Sequence, residues 1–258
     1  MKHAPVIAVA LILAVGTASS AFAADLPAKP YTKAPPPAVV AIYDWSGFYL
    51  GANAGYANSR DCWNFVTFAG APRTTAEGCD NAGGAVVGGQ VGYRWQLPQR
   101  FVLGLEAQGD WAGLSGSRIA TPAFVAAPND LRINSRVRGL GLFTGQVGYA
   151  WDNVLLYAKG GAAVVDDRFF HTFAATNALI NSATQTRVGG TVGAGVEFGF
   201  APNWSVGVEY DHLFMGRKTV NFVAAPGGIA TSDRIGQNVD MVTARINYRF
   251  GGPSVPKY

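Results

Sequence analysis

The fold of this 258-residue chain is constrained most by a two-residue alternation of apolar and polar side chains that recurs eight times between Trp45 and Phe250. That period belongs to β-strands whose two faces meet different surroundings, because successive Cβ atoms point to opposite sides of a sheet. The first run sets Phe48, Leu50, Ala52, Ala54 and Tyr56 against Tyr49, Gly51, Asn53 and Gly55. In the second, Val91, Tyr93 and Trp95 oppose Gln90, Gly92 and Arg94; in the third, Leu103, Leu105 and Trp111 oppose Glu106, Gln108 and Asp110. The fourth places Val137, Phe143, Val147 and Trp151 opposite Arg136, Arg138, Thr144 and Gln146. The other four carry on their polar sides Lys159, then Arg187 and Glu197, then Glu209 and Asp211, then Arg245 and Arg249. Short connections at 96–100, 152–153 and 201–203 alternate with long ones at about 57–82, 112–134, 166–186 and 214–237. Short turns at one end and long connections at the other describe an antiparallel, up-and-down barrel.

Which face points outward decides what surrounds the barrel. Charged residues make up 14 % of the chain, against roughly 25 % in an average soluble domain, so part of the surface should face something other than water. A soluble ligand-carrying barrel uses the same alternation turned inside out. An Arg or Lys facing the middle of a bilayer costs roughly 2–4 kcal/mol, so the face holding Arg94, Arg136, Arg138, Lys159, Arg187, Arg245 and Arg249 must avoid lipid. Tyr93, Trp95, Phe101, Tyr149, Trp151, Phe198, Phe200, Trp204, Tyr248 and Phe250 all lie beside the short turns or the end of the last run. That is the placement of an interfacial aromatic girdle. The expected fold is therefore all-β, an eight-stranded antiparallel up-and-down transmembrane β-barrel over residues 45–250. Its even strand count leaves both chain ends on the short-turn side. The mild net charge of +4, without basic blocks, gives no sign of a nucleic-acid partner.

The flanks read differently. Residues 1–23 combine Lys2, an apolar run from Pro5 to Val15 and the small-residue site Ala21-Phe22-Ala23, the layout of a cleaved export signal. Residues 24–44 contain Pro27, Pro30, Pro35, Pro36 and Pro37, which favour an extended leader that builds no core. Downstream of the export signal no segment reaches the roughly 20 apolar residues of a spanning helix. Residues 251–258 form a short tail, in which Pro253 and Pro256 prevent the last strand from continuing as a paired ladder.

Four segments together carry a family likeness: Ala24-Asp25-Leu26-Pro27, Trp45-Ser46-Gly47-Phe48-Tyr49, Thr144-Gly145-Gln146-Val147-Gly148-Tyr149-Ala150-Trp151 and Gly193-Ala194-Gly195-Val196-Glu197. With them the chain resembles, over its whole length, the small outer-membrane β-barrel proteins of alphaproteobacteria, a porin family similar in architecture to the OmpA transmembrane domain. The resemblance implies an outer-membrane location, a structural or surface role and no catalytic residue. Barrels of this kind end on an aromatic that the insertion machinery recognises, and Asn247-Tyr248-Arg249-Phe250 fits. Because eight residues follow, either Phe250 or the terminal Tyr258 serves as that mark.

Eight strands enclose an interior just wide enough for side chains to fill. Counted from the short-turn side, Gln90, Glu106, Gln146, Lys159, Glu197, Glu209 and Arg245 fall at comparable depth. They point to a network of charge-assisted hydrogen bonds across the lumen, with Glu106, Glu197 or Glu209 touching Lys159 or Arg245. Paired carboxylates without a wide polar cleft do not make an acid–base site. Asp167 with His171 has no further ligands at recognisable spacing, and His212 is isolated. No enzyme activity, cofactor or metal is expected. Cys62 and Cys79, the only cysteines, lie in the first long connection, and in an oxidising compartment they should pair. Closing that loop is worth roughly 3 kcal/mol in the chain-entropy model. The functional expectation is a non-enzymatic envelope protein that supports the outer membrane, touches lipid and lipopolysaccharide and displays its loops. A narrow small-solute channel is the alternative.

Overall fold

A computed structural model describes residues 43–68, 70–120, 131–226 and 230–251. The expected export signal, the expected leader up to residue 42 and the tail beyond Gly251, Tyr258 included, lie outside the described residues. Eight strands follow one another along the chain: β1 (Gly47–Phe68), β2 (Ala71–Gln96), β3 (Phe101–Ile119), β4 (Leu131–Trp151), β5 (Val154–Phe173), β6 (Leu179–Ala201), β7 (Trp204–Ala224) and β8 (Thr231–Phe250). Each pairs antiparallel with the next, and β1 also pairs with β8 from Phe48↔Phe250 to Phe68↔Thr231, which closes the barrel. Closure removes the sheet edge, whose unpaired N–H and C=O groups could not be satisfied in lipid.

The alternation becomes two surfaces. Every strand exposes a large apolar side chain on the outside: Leu50, Val91, Leu105, Phe143, Leu156, Val192, Val208 and Val242 form a belt around the wall. Soluble monomers rarely expose contiguous apolar patches beyond a few hundred Å², so the apolar parity is the outer one and the inside-out soluble barrel is excluded. At the short-turn end the aromatics touch one another in pairs, among them Tyr93 with Trp95, Phe101 with Tyr149, and Trp204 with Tyr248. Further along the strands, Tyr56, Trp111 and Phe214 edge the belt on its other side, Trp111 being 77 % exposed. The span from Phe101 to Trp111 matches the roughly 9–11 residues of a transmembrane strand. Beyond that edge Arg60, Arg168 and Arg234 face outward.

Two expectations change. The long connections are mostly strand: β1 and β2 run on to Phe68 and from Ala71, so only residues 69–70 link them. Where the wall leaves lipid the apolar parity turns inward, with Ile133, Phe169 and Ile235 buried and Arg168 and Arg234 outside, so the lipid-facing pattern stops while the hydrogen-bonded ladder continues. Cys62 and Cys79 thus sit not in an irregular loop but directly opposed on β1 and β2, Cα atoms 4.0 Å apart, joined as a disulfide. The second correction concerns Arg136 and Arg138, which face outward rather than into the lumen. A register shift between Val137 and Gly139, opposite Asp167 and Asp166, reverses the parity of this stretch and buries Val137. Arg138 Nη2 instead meets the outward Asp166 Oδ2 at 3.0 Å. Gly139 pairs with Trp111 at the belt's edge, so neither arginine is submerged in lipid.

Inside, the filling is layered. Tyr43 and Trp45 fold under the short-turn opening, where the Tyr43 N–H donates to Asn153 Oδ1 and the Trp45 N–H to Gln96 Oε1, each at 2.9 Å. Tyr43 therefore belongs to the barrel rather than to the leader. Next comes a charged layer, then an apolar one that includes Leu114, Leu140, Leu142, Leu213 and Met241. Farthest from the short turns, Trp63, Phe169 and Phe222 pack with Ile133 and Ile235.

Candidate functional site

Four strands meet in the charged layer. Glu106 of β3, Lys159 of β5, Glu209 of β7 and Arg245 of β8 have side-chain exposures of 0 %. Arg245 Nη2 donates to Glu106 Oε2 at 2.7 Å, and its Nη1 to Glu209 Oε2. Lys159 Nζ lies 2.7 Å from Glu209 Oε1, 3.5 Å from Glu106 Oε1 and 3.2 Å from Asp211 Oδ1. Both glutamates thus face both cations, a ring of alternating sign. The Tyr49 hydroxyl donates to Glu106 Oε2 at 2.7 Å, and that of Tyr157 to Glu209 Oε2 at 2.6 Å. Two glycines make this possible. A β-carbon on Gly92 or Gly195 would lie 2.5 Å from the hydroxyl oxygen of Tyr49 or Tyr157, so only glycine lets these rings lie against the wall.

Nearer the short turns a second group is joined to the first. Arg94 Nη2 donates to Glu197 Oε2 at 2.9 Å and Nε to Gln146 Oε1 at 3.2 Å. Its guanidinium stands 4.5 Å from the Tyr49 ring centroid and 5.4 Å from that of Tyr157. Glu197 Oε1 accepts from Asn247 Nδ2 at 2.9 Å and from Ser205, while Gln90 Nε2 donates to Asn247 Oδ1 at 2.7 Å. The seven lumen residues read from the sequence therefore divide into two sets. Glu106, Lys159, Glu209 and Arg245 meet directly, whereas Gln90, Gln146 and Glu197 turn to Arg94 and Asn247. Depth counting missed Arg94, Tyr49, Tyr157, Asp211 and Asn247, although all five share the inward parity. A cavity of about 10 Å³ between Trp45, Tyr49 and Arg94 is at the limit for one water molecule. The arrangement holds the strands together and offers its carboxylates no room for a substrate.

A different polar group lies toward the other end of the lumen. Glu77 of β2, His171 of β5 and Asp233 of β8 are buried, and the oxygen and nitrogen atoms they offer lie within 4.8 Å of one another. Asp167, which the sequence sets beside His171, instead accepts from Gln237 Nε2 at 3.0 Å. His171 stands well past the roughly 9–11 residues that cross the bilayer from Val154, so the group is outside the membrane-spanning part of the wall. Burial pushes Asp233 up to about 9, with the charge of Glu77 adding to it. Burial likewise raises Glu77 to about 7 and lowers His171 to about 4. His212 lies on the outward parity near the belt's far edge, opposite Val192, its Nδ1 2.7 Å from Asp240 Oδ1.

Comparison with known proteins agrees with this architecture. The family described as "Outer membrane protein beta-barrel domain" matches residues 8–250. The chain is 31% identical over 237 residues to the 31 kDa outer-membrane immunogenic protein of Brucella melitensis, covering 90% of this chain and 95% of that protein. It is 32% identical over 168 residues to the 22 kDa outer membrane protein of Rhizobium leguminosarum bv. viciae, covering 64% of this chain and 62% of that one. Among solved structures it is similar to the outer membrane protein OprG from Pseudomonas aeruginosa, with a TM-score of 0.48 at 12% identity over 81% of this chain and 99% of that chain. Since the family match extends to the end of β8 and the Brucella relative aligns over nearly its whole length, the chain belongs to the family of outer membrane protein β-barrel domains.

Proposed function

We propose that this chain is a non-enzymatic barrel with a sealed lumen that contributes to the integrity of the outer membrane and displays the ends of its strands beyond the lipid. The observation that carries the reading is the filled interior. The fully buried ring of Glu106, Lys159, Glu209 and Arg245 crosses the lumen, and the apolar layer around Leu142 and Leu213 lies over it. A solute path needs a continuous column of water, which an eight-stranded wall with inward side chains leaves no space for. The outer belt suits lipid, and Arg60 and Arg168 beyond its edge suit the phosphates of lipopolysaccharide. Export by a cleaved segment 1–23, chain ends on the periplasmic side and use of Phe250 or Tyr258 by the insertion machinery belong to the same reading. The Brucella relative is by name an outer-membrane immunogenic protein, which accords with surface display.

Single-channel recording of the refolded protein in planar bilayers tests this. The sealed barrel gives no steady open level at any holding potential. A reproducible open level would overturn the reading and favour the narrow channel.

A further inference from the structure

We infer that Glu77, His171 and Asp233 form a binding site for a divalent transition-metal ion of the zinc or manganese class inside the outer end of the barrel. His171 Nε2 and Asp233 Oδ2 stand 3.6 Å apart. That is too far for a hydrogen bond, yet close to the spacing of two atoms that share one ion through bonds of about 2.0–2.2 Å. The Glu77 carboxylate completes a set within 4.8 Å.

The imidazole is held in one tautomer. His171 Nδ1 lies 2.6 Å from Asn181 Oδ1, and the Asn181 amide is oriented by its own Nδ2 donating to Thr231 Oγ1 at 3.2 Å. An amide oxygen only accepts, so the ring carries its proton on Nδ1 and turns the bare lone pair of Nε2 toward Asp233. A metal-bound histidine is held in this way by its outer partner. Independently, Asp233 is 0% exposed, and neither of its carboxylate oxygens nor His171 Nε2 has a hydrogen-bond partner. A buried carboxylate in that condition is costly. Two carboxylates and a neutral imidazole around a divalent ion sum to zero charge.

The wall turns Glu77 toward the other two. Trp63 pairs with Gly78 and Asn64 with Ala76, so Glu77 is the extra residue of a bulge, the device by which strands re-aim a side chain. Gly78 holds φ +106, and a β-carbon there would come within 2.6 Å of the Arg118 guanidinium. The Cys62–Cys79 disulfide clamps the two strands beside the bulge. Trp63 and Phe222, with ring centroids 5.5 and 4.6 Å from that of His171, keep the surroundings apolar. Nitrogen and carboxylate donors suit zinc or manganese rather than copper(I).

The test uses the full chain without a histidine tag, refolded and verified by its heat-dependent gel mobility, then dialysed against Zn²⁺ and analysed for bound metal. One zinc per folded chain is expected, and Co²⁺ in its place should give the visible absorption of a low-coordinate nitrogen–oxygen site. His171→Ala and Asp233→Asn should each weaken zinc at least about tenfold, and Asn181→Ala about 10–100-fold. His212→Ala should change nothing. Substoichiometric zinc on folded wild-type protein overturns the proposal. So does unchanged stoichiometry and cobalt spectrum in both ligand variants, which would place the metal elsewhere.

Discussion

The two polar groups inside the barrel handle buried charge in opposite ways. In the layer near the short turns four strands supply matched signs, so Glu106 and Glu209 each have a cation within hydrogen-bonding distance. Toward the far end, Asp233 has no hydrogen bond and an imidazole 3.6 Å away. Both groups are buried, so burial does not separate them; the donors and acceptors that share the layer do. One layer is braced by ion pairs across the lumen, and the other is completed by an added ion.

Breaking the matched layer should have the largest effect. Arg245→Met leaves Glu106 and Glu209 facing one ammonium instead of two cations, and the loss should be roughly 3–5 kcal/mol in the urea unfolding of refolded protein. A loss below about 1 kcal/mol would show that the ring does not hold the wall. Leu142→Ala, in the fully buried apolar layer between the two groups, should cost about 3 kcal/mol without opening a path, because the charged ring remains. Conductance of this variant checks the second half of that statement.

Replacing Cys62 and Cys79 together by serine should cost about 3 kcal/mol. It should weaken zinc binding while leaving the salt dependence of the charged layer unchanged, since the clamp sits beside Glu77. The smallest shift comes from Asp233 itself. Asp233 keeps its proton in the fold up to about 9, so the folded chain binds more protons than the unfolded one above the ordinary carboxylate range. Metal-free stability therefore falls as pH rises through that window. Asp233→Asn should flatten the fall and raise metal-free stability at pH 8 by at least about 1 kcal/mol. Saturating zinc should flatten it in the wild type alone. A pH profile identical in both proteins would contradict the contrast drawn between the layers.

Much of the wall was legible because lipid imposes a strict code. Val192, Val196 and Phe198 against Thr191 and Glu197 leave no doubt about parity, and parity alone places Glu106, Lys159, Glu209 and Arg245 in one lumen. What parity does not encode is shear, so residues counted to one depth divide between the Arg94 and Arg245 groups. Bulges defeat the code locally. Arg136 and Arg138 are out of step because of one unpaired residue at 138, and Glu77 reaches the lumen through another. The trio of Glu77, His171 and Asp233 was also invisible: its members come from three strands separated by long stretches, past the point where the apolar parity turns inward. Tyr43 was hidden by its neighbours, since it follows a proline-rich run yet packs on Trp45 with ring centroids 4.5 Å apart.

The most direct measurement of the central claim, a closed wall braced from within, is the mobility of protein refolded into lipid vesicles and run unboiled and boiled after exposure to graded urea. The account predicts a faster unboiled band that survives in Asp233→Asn as in the wild type and is lost at clearly lower urea in Arg245→Met. One mobility with and without boiling, or equal urea resistance in all three proteins, would contradict it.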